Sequence, residues 1–197
     1  MKQMCLMILT VAVAAVSPAR AAEVEWEPAD SAHVTWYLHH PLHEVTSVAG
    51  DIRFLKPLRM DVAALPDALT TITELPVQIP WKAFDSGNRN RDANMLLAVK
   101  ADAFPLATYV LERAEVTATV ADRHWQGTFA GRLYLAGQKQ PVTATFDLQA
   151  QQPDAPRLRA RFSVDMRQFG IDPPRLLMFA ADPVVQVRVD LPLRPGR

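Results

Sequence analysis

Two short clusters hold most of the side chains able to bind or react. The first is His39-His40-Pro41-Leu42-His43-Glu44. Neutral imidazoles suit Zn²⁺, Cu²⁺ or Ni²⁺. Two readings are open here: a metal site, or a turn of solvated histidines around Pro41. A structural zinc needs four ligands in a tetrahedron, which a flexible turn does not fix, and we assign no metal. The second cluster is Arg89, Arg91 and Asp92. Guanidinium forks pair bidentately with phosphate, so these residues could hold a polar or pyrophosphate head group. The alternative is an Arg–Asp pair that only pins the segment. No nucleophile, base and orienting group can be assembled. Ser86 and Ser163 lie in no nucleophile-elbow pattern, and neither a paired-histidine zinc motif nor a glycine-rich phosphate loop occurs. We expect no catalytic residue, no cofactor and no enzyme.

The N-terminus restricts the chemistry further. Lys2 precedes an apolar run from Met4 to Val16, Pro18 breaks it, and Ala19-Arg20-Ala21 supplies small residues for a signal peptidase. This pattern predicts a secretory signal peptide over residues 1–21, an exported domain over 22–197 and a periplasmic location. The run is too short for a stable membrane span, and none is expected after cleavage. Cys5, the only cysteine, precedes the run and leaves with the signal. The exported part then has no disulfide, thiol nucleophile or thiolate metal site. Loss of Lys2 and Arg20 leaves 19 basic residues against 21 acidic, a balance that argues against nucleic acid, which requires a basic footprint.

Strands must position whatever site there is. Period-two alternation marks Val34, Trp36 and Leu38, then Val48 to Phe54, then Ala68 to Ile79. It resumes in Val110–Val120, His124–Leu135, Val142–Leu148, Leu158–Val164 and Val185–Leu191. Ala136-Gly137-Gln138-Lys139 reads as a tight hairpin turn. Helical spacing appears in two connections. Asn90 or Asp92 can cap a segment carrying Met95, Leu96 and Val99, stopped by Pro105. Arg175–Phe179 reads as a second short helix. About eight strands and no domain linker predict an all-β fold, a single antiparallel eight-stranded lipocalin-like barrel. Trp36, Phe54, Phe129, Leu133, Phe146, Phe162, Phe169 and Phe179 either fill its core or line a tunnel. The helical segment then sits at the barrel mouth as a lid or a fixed plug, with Met95, Leu96 and Phe104 facing inward.

Several motifs together resemble the YceI-like family of exported lipocalin-like barrels, over Asp30 to Leu191. They are Asp30-Ser31 before Val34-Thr35-Trp36, Val48-Ala49-Gly50-Asp51-Ile52, and Arg91-Asp92 with Leu96 and Asp102-Ala103-Phe104. Gly131 to Gly137 with Lys139 and Pro141-Val142, Phe169-Gly170-Ile171, and Asp182-Pro183-Val184 complete the set. Three positions depart from the pattern: Val110 replaces a proline, Ala103 an aromatic, and Arg167 is displaced by one place. The resemblance implies an elongated apolar cavity that binds a polyisoprenoid, a quinone or another long-chain lipid. A quinone-presenting role beside a membrane cytochrome b is an alternative, an enzyme acting on a lipid a more remote one, and a homodimer is left open. With about 0.8 kcal/mol per buried methylene, a tail would outweigh any single head-group hydrogen bond of about 0.5–1.5 kcal/mol.

Overall fold

Alternating apolar residues build one continuous antiparallel ladder whose inner face is almost wholly apolar. The computed structural model describes residues 23–176 and 178–196; the predicted signal peptide lies outside the described residues. In chain order the first strands are β1 (Val24–Pro28), β2 (His33–His40), β3 (His43–Ala49), β4 (Arg53–Phe54) and β5 (Leu58–Met60). A helical turn α1 (Asp67–Thr70), β6 (Leu75–Pro80) and the helix α2 (Arg89–Ala98) follow. Next come the long strands β7 (Leu106–Ala121), β8 (His124–Leu135), β9 (Gln138–Gln149) and β10 (Arg157–Asp165). A small hairpin of β11 (Arg175–Leu176) and β12 (Phe179–Ala180) precedes the last strand, β13 (Val184–Pro195). The sheet runs β3-β2-β13-β10-β9-β8-β7-β6-β4, with β1 on β13 and β5 on β1. Val48 and Asp85 exchange two backbone hydrogen bonds of 3.0 and 2.9 Å. They tie the outer edge of β3 to the chain just beyond β6. The register of β7 on β8 shifts at three places, and each added residue bends and twists the wall.

The antiparallel order sorts the connections between two ends. One end holds the β2–β3 turn, the β6–β7 connection with α2, the β8–β9 turn and the β10–β13 connection with the β11–β12 hairpin. The other end is sealed. Leu58, Met60, Val62, Leu65 and Leu69 are buried there with Trp26 and Trp125. The Trp26 indole donates to the Met60 carbonyl at 2.9 Å. Arg123, in the β7–β8 turn, donates to the carbonyls of Ala150 (2.6 Å) and Val62 (3.1 Å), which staples three connections together.

The eight-stranded expectation matches the eight strands from β3 round to β6, and four local expectations need correction. The predicted strand Val48–Phe54 breaks at Gly50. β3 stops at Ala49, and Arg53–Phe54 joins β6 on the far side of the sheet. The predicted strand Ala68–Ile79 begins as a helical turn and becomes a strand only at Leu75. Leu69 and Ile72 turn inward at helical spacing, and the Thr70 and Thr71 hydroxyls donate to the carbonyls of Asp67 and Ala68 at 2.8 Å. Glu74, at φ 51°, then redirects the chain into β6. The predicted helix Arg175–Phe179 is instead the β11–β12 hairpin, closed at its base by Ala181 N–H to the Pro174 carbonyl at 2.9 Å. Finally, α2 is capped by Asn88, not by Asn90 or Asp92. The Asn88 side-chain oxygen accepts from the backbone amides of Asn90 and Arg91, both at 3.1 Å.

Candidate functional site

Inward side chains on the strands do not all pack alike. Near the sealed end they are buried and form the floor of a cavity: Leu148, Leu191 and Leu193 expose 1, 6 and 5% of their surface. Towards the other end several inward positions are only half-buried. Val185, Val187 and Val189 on β13, Trp36 on β2, Phe162 on β10 and Val77 and Ile79 on β6 all belong to this set. A packed barrel would bury them. They stay half-exposed because they line an internal cavity of about 560 Å³. That volume is within the range of small-molecule pockets, roughly 300–1,000 Å³. At about 30 Å³ for each water-sized group, it holds on the order of twenty carbons.

Glycines set the thickness of one wall. A Cβ at Gly127 would lie 2.0 Å from the Glu115 carbonyl oxygen and 2.8 Å from the Phe146 ring. At Gly131 it would lie 2.7 Å from the Tyr109 ring. The two rings therefore occupy space that a side chain would need. Phe146 stacks on Phe129 with centroids 4.3 Å apart, and Tyr109 lies 6.4 Å from Phe162. Burial, reinforced by the negative charge of Glu112, pushes the Tyr109 phenol up to about 12. It stays neutral and donates weakly to the Val142 carbonyl at 3.4 Å.

The mouth is at the end that carries α2. Of the lining residues, His43, Asn94, Ala98, Pro174 and Arg175 are exposed, and all five sit on connections at that end. Arg91 and Arg175 are the lining residues with a permanent charge, and no aspartate or glutamate lines the cavity among the described residues. His40 is buried beside them. The Leu42 amide donates to its Nδ1 at 3.2 Å, so Nε2 carries the proton and donates to the Phe179 carbonyl at 3.2 Å. The histidine thereby fastens the β11–β12 hairpin to the barrel. The His43 ring lies tilted against that of His40, with centroids 5.2 Å apart. His39 points outward and pairs with Glu44; that hydrogen bond and its charge hold the His39 imidazole above its ordinary value. The three histidines thus have three separate roles, and no cluster suited to a metal ion occurs among the described residues.

The residues singled out from the sequence divide accordingly. Trp36, Phe54, Met95, Phe129, Leu133 and Phe162 line the cavity. Phe146 in the β9 wall and Phe169 in the helical turn after β10 are buried and do not border it. Leu96 packs half-buried against the core without reaching the cavity. Two inward assignments are corrected. Phe104 is 41% exposed and its ring covers Gly137, where φ is +81°. Phe179 is exposed on the hairpin, and its contribution is the carbonyl that His40 holds. In the polar cluster Arg91 reaches the cavity and Arg89 does not. Asp92 does not pair with Arg91; its carboxylate accepts from the Ser86 amide at 3.1 Å and so holds the loop before α2. Sequence reasoning missed Asn94, Arg175 and the β13 valines as lining residues. The valine alternation was a visible signal for the last of these. Arg175 had none, because its segment read as a helix.

Comparison with known proteins adds family and fold. The family model for the YceI-like domain matches residues 28–193. Burkholderia cenocepacia BcnA superposes with a TM-score of 0.65 at 14% identity, covering 84% of this chain and 99% of that one. A polyisoprenoid binding domain from Saccharophagus degradans, implicated in plant cell wall breakdown, gives 0.63 at 10% identity, covering 88% and 99%. No protein of curated function matches the sequence.

Proposed function

The chain belongs to the YceI-like domain family, and from that premise we propose that it binds one long apolar lipid, of the polyisoprenoid kind, with the tail inside the barrel and the head at the α2 end. The observation that carries this reading is the hollow interior. A wall of valines, leucines and aromatics borders about 560 Å³ that their own side chains do not fill. The polyisoprenoid binding domain with the same fold supports the choice of ligand class. The predicted signal peptide supports export to the periplasm as the place where binding occurs. The role is capture and carriage, not chemistry on the ligand.

Magnitudes favour tail over head. Twenty carbons at about 0.8 kcal/mol each gain on the order of 16 kcal/mol gross, from which ordering the chain and lost rigid-body freedom subtract a large share. Hydrogen bonds to a charged group add about 1.5–3 kcal/mol each. Arg91 and Arg175 donate only, and no carboxylate among the described residues lines the cavity to oppose them, so the rim suits a phosphate better than an uncharged quinone ring. Native mass spectrometry of protein purified from its exporting host tests the reading. The expected result is a co-purifying lipid of roughly prenyl-chain mass, released by organic solvent and exchanged by added polyprenyl phosphate. Protein that carries no lipid and takes up none from detergent solution would overturn it.

A further inference from the structure

The tips around the mouth are apolar although none of the described residues covers them. Met178 in the β11–β12 turn is 82% exposed, Leu97 on α2 74% and Leu42 in the β2–β3 turn 51%. Phe179 is exposed beside Met178. They project from three of the four connections at the open end, and each of those connections also supplies cavity-lining residues. Leu42 flanks His40 and His43, Leu97 follows Asn94 and Met95, and Met178 follows Pro174 and Arg175. Stable globular proteins rarely place such residues together without a partner.

We propose that this end of the barrel docks on the surface of a phospholipid bilayer, with the apolar tips inserted between lipids so that a tail passes into the cavity without crossing water. The proposal rests on the lipid-binding reading and deepens it. Two observations choose a bilayer over a protein partner. The exposed apolar side chains stand on three separate connections that also line the mouth, not on one flat face. Interleaved with them are Arg89, Arg91 and Arg175, which have no carboxylate partner among the described residues. Of the acids at this end, Glu44 pairs with His39 and Asp165 with Arg167, while Asp85 and Asp92 accept backbone amides. Asp102, Asp172 and Asp182 keep the end from being strongly basic. Apolar insertion is therefore the main attraction, and the arginines meet phosphate groups at the interface, as in interfacial membrane segments.

Vesicles of phosphatidylethanolamine and phosphatidylglycerol carrying a polyprenyl phosphate provide the test. The purified protein is expected to sediment with them, and to do so still at high ionic strength. A Leu97→Asp/Met178→Asp variant is expected to lower vesicle association at least about tenfold and to slow lipid uptake from vesicles in proportion. Its uptake from detergent micelles stays at the wild-type rate, which also shows that it is folded. Val120→Asp, an exposed position at the sealed end, changes none of these. Three results overturn the docking proposal alone: wild-type protein that takes lipid from micelles and ignores vesicles, a double variant that binds vesicles like wild type, or a double variant that merely turns a dimer into a monomer. Absence of uptake from both sources overturns the lipid-binding reading instead.

Discussion

Tyr109 shows how one residue is tuned by the hollow wall. Its ring lies over Gly131 because no side chain occupies that place. The hydroxyl is thereby removed from water with only a 3.4 Å partner. Burial disfavours the phenolate, and the folded value rises to about 12 from about 10 in an unfolded chain. The sign follows from linkage. The neutral phenol contributes stability that is fully present below pH 10 and is lost as pH climbs from 10 towards 12. Spectrophotometric titration of the folded protein should show one tyrosine ionising near pH 12, in a step that Tyr109→Phe removes. Loss of amplitude near pH 10 in that variant, with no step near pH 12 in either protein, would show that the ring is not buried as described. Arg91 illustrates a different constraint at this scale. Its neighbour Asp92 is engaged with the Ser86 amide, which leaves the guanidinium to face the cavity instead of closing a local pair.

At the scale of elements, α2 is held lightly for a helix that borders the mouth. It has no fully buried residue, and its N-terminus is fixed by the Asn88 cap. A cap of this kind contributes about 1 kcal/mol. Asn88→Ala should therefore lower the free energy of urea unfolding by about 1 kcal/mol and speed lipid exchange by fraying the first turn, where Arg91 sits. Wild-type stability and wild-type exchange would refute a lid held by its cap. Elements also show what could be read from the sequence. The strands from β7 to β10 and β13 were legible because each runs long enough for its alternation to show, and β7, β8 and β9 are in addition joined by tight turns at Asp122-Arg123 and Ala136-Gly137. β4 and the start of β6 were not. Their pairing depends on partners distant in sequence, and the alternation of Ala68 to Ile79 admits a helical turn as readily as a strand. The hairpin at Arg175–Ala180 was hidden for a related reason. It is stabilised by His40, far away in sequence, and not by its own periodicity. Within the site, strand parity identified inward residues such as Trp36, Phe129, Leu133 and Phe162. It could not separate those that border the void from Phe146, which lies against Gly127 in the wall, because that depends on position along the barrel axis and on the cross-strand glycines.

The whole molecule is a barrel closed at one end by packed side chains and hollow above them, and that asymmetry makes a prediction in which stability and binding separate. Val187 faces the cavity between Phe162 on β10 and Trp36 on β2, its partners in register. In a close-packed core, an enlargement such as Val187→Phe forces neighbours off their rotamers and costs about 1–3 kcal/mol. In a hollow barrel the ring enters empty space, buries more apolar surface and leaves stability unchanged or slightly raised. Binding should respond in the opposite sense. Wild-type affinity should rise with tail length until the cavity is full, at on the order of twenty carbons by the volume argument, and then level off. In Val187→Phe the plateau should come at a shorter tail, with short-chain affinity preserved and long-chain affinity reduced. Urea unfolding and displacement by a graded series of prenyl phosphates measure the two effects on the same protein. A destabilised variant with an unaltered length profile would mean that the interior behaves as a packed core, and that the space between these strands is not where the tail lies.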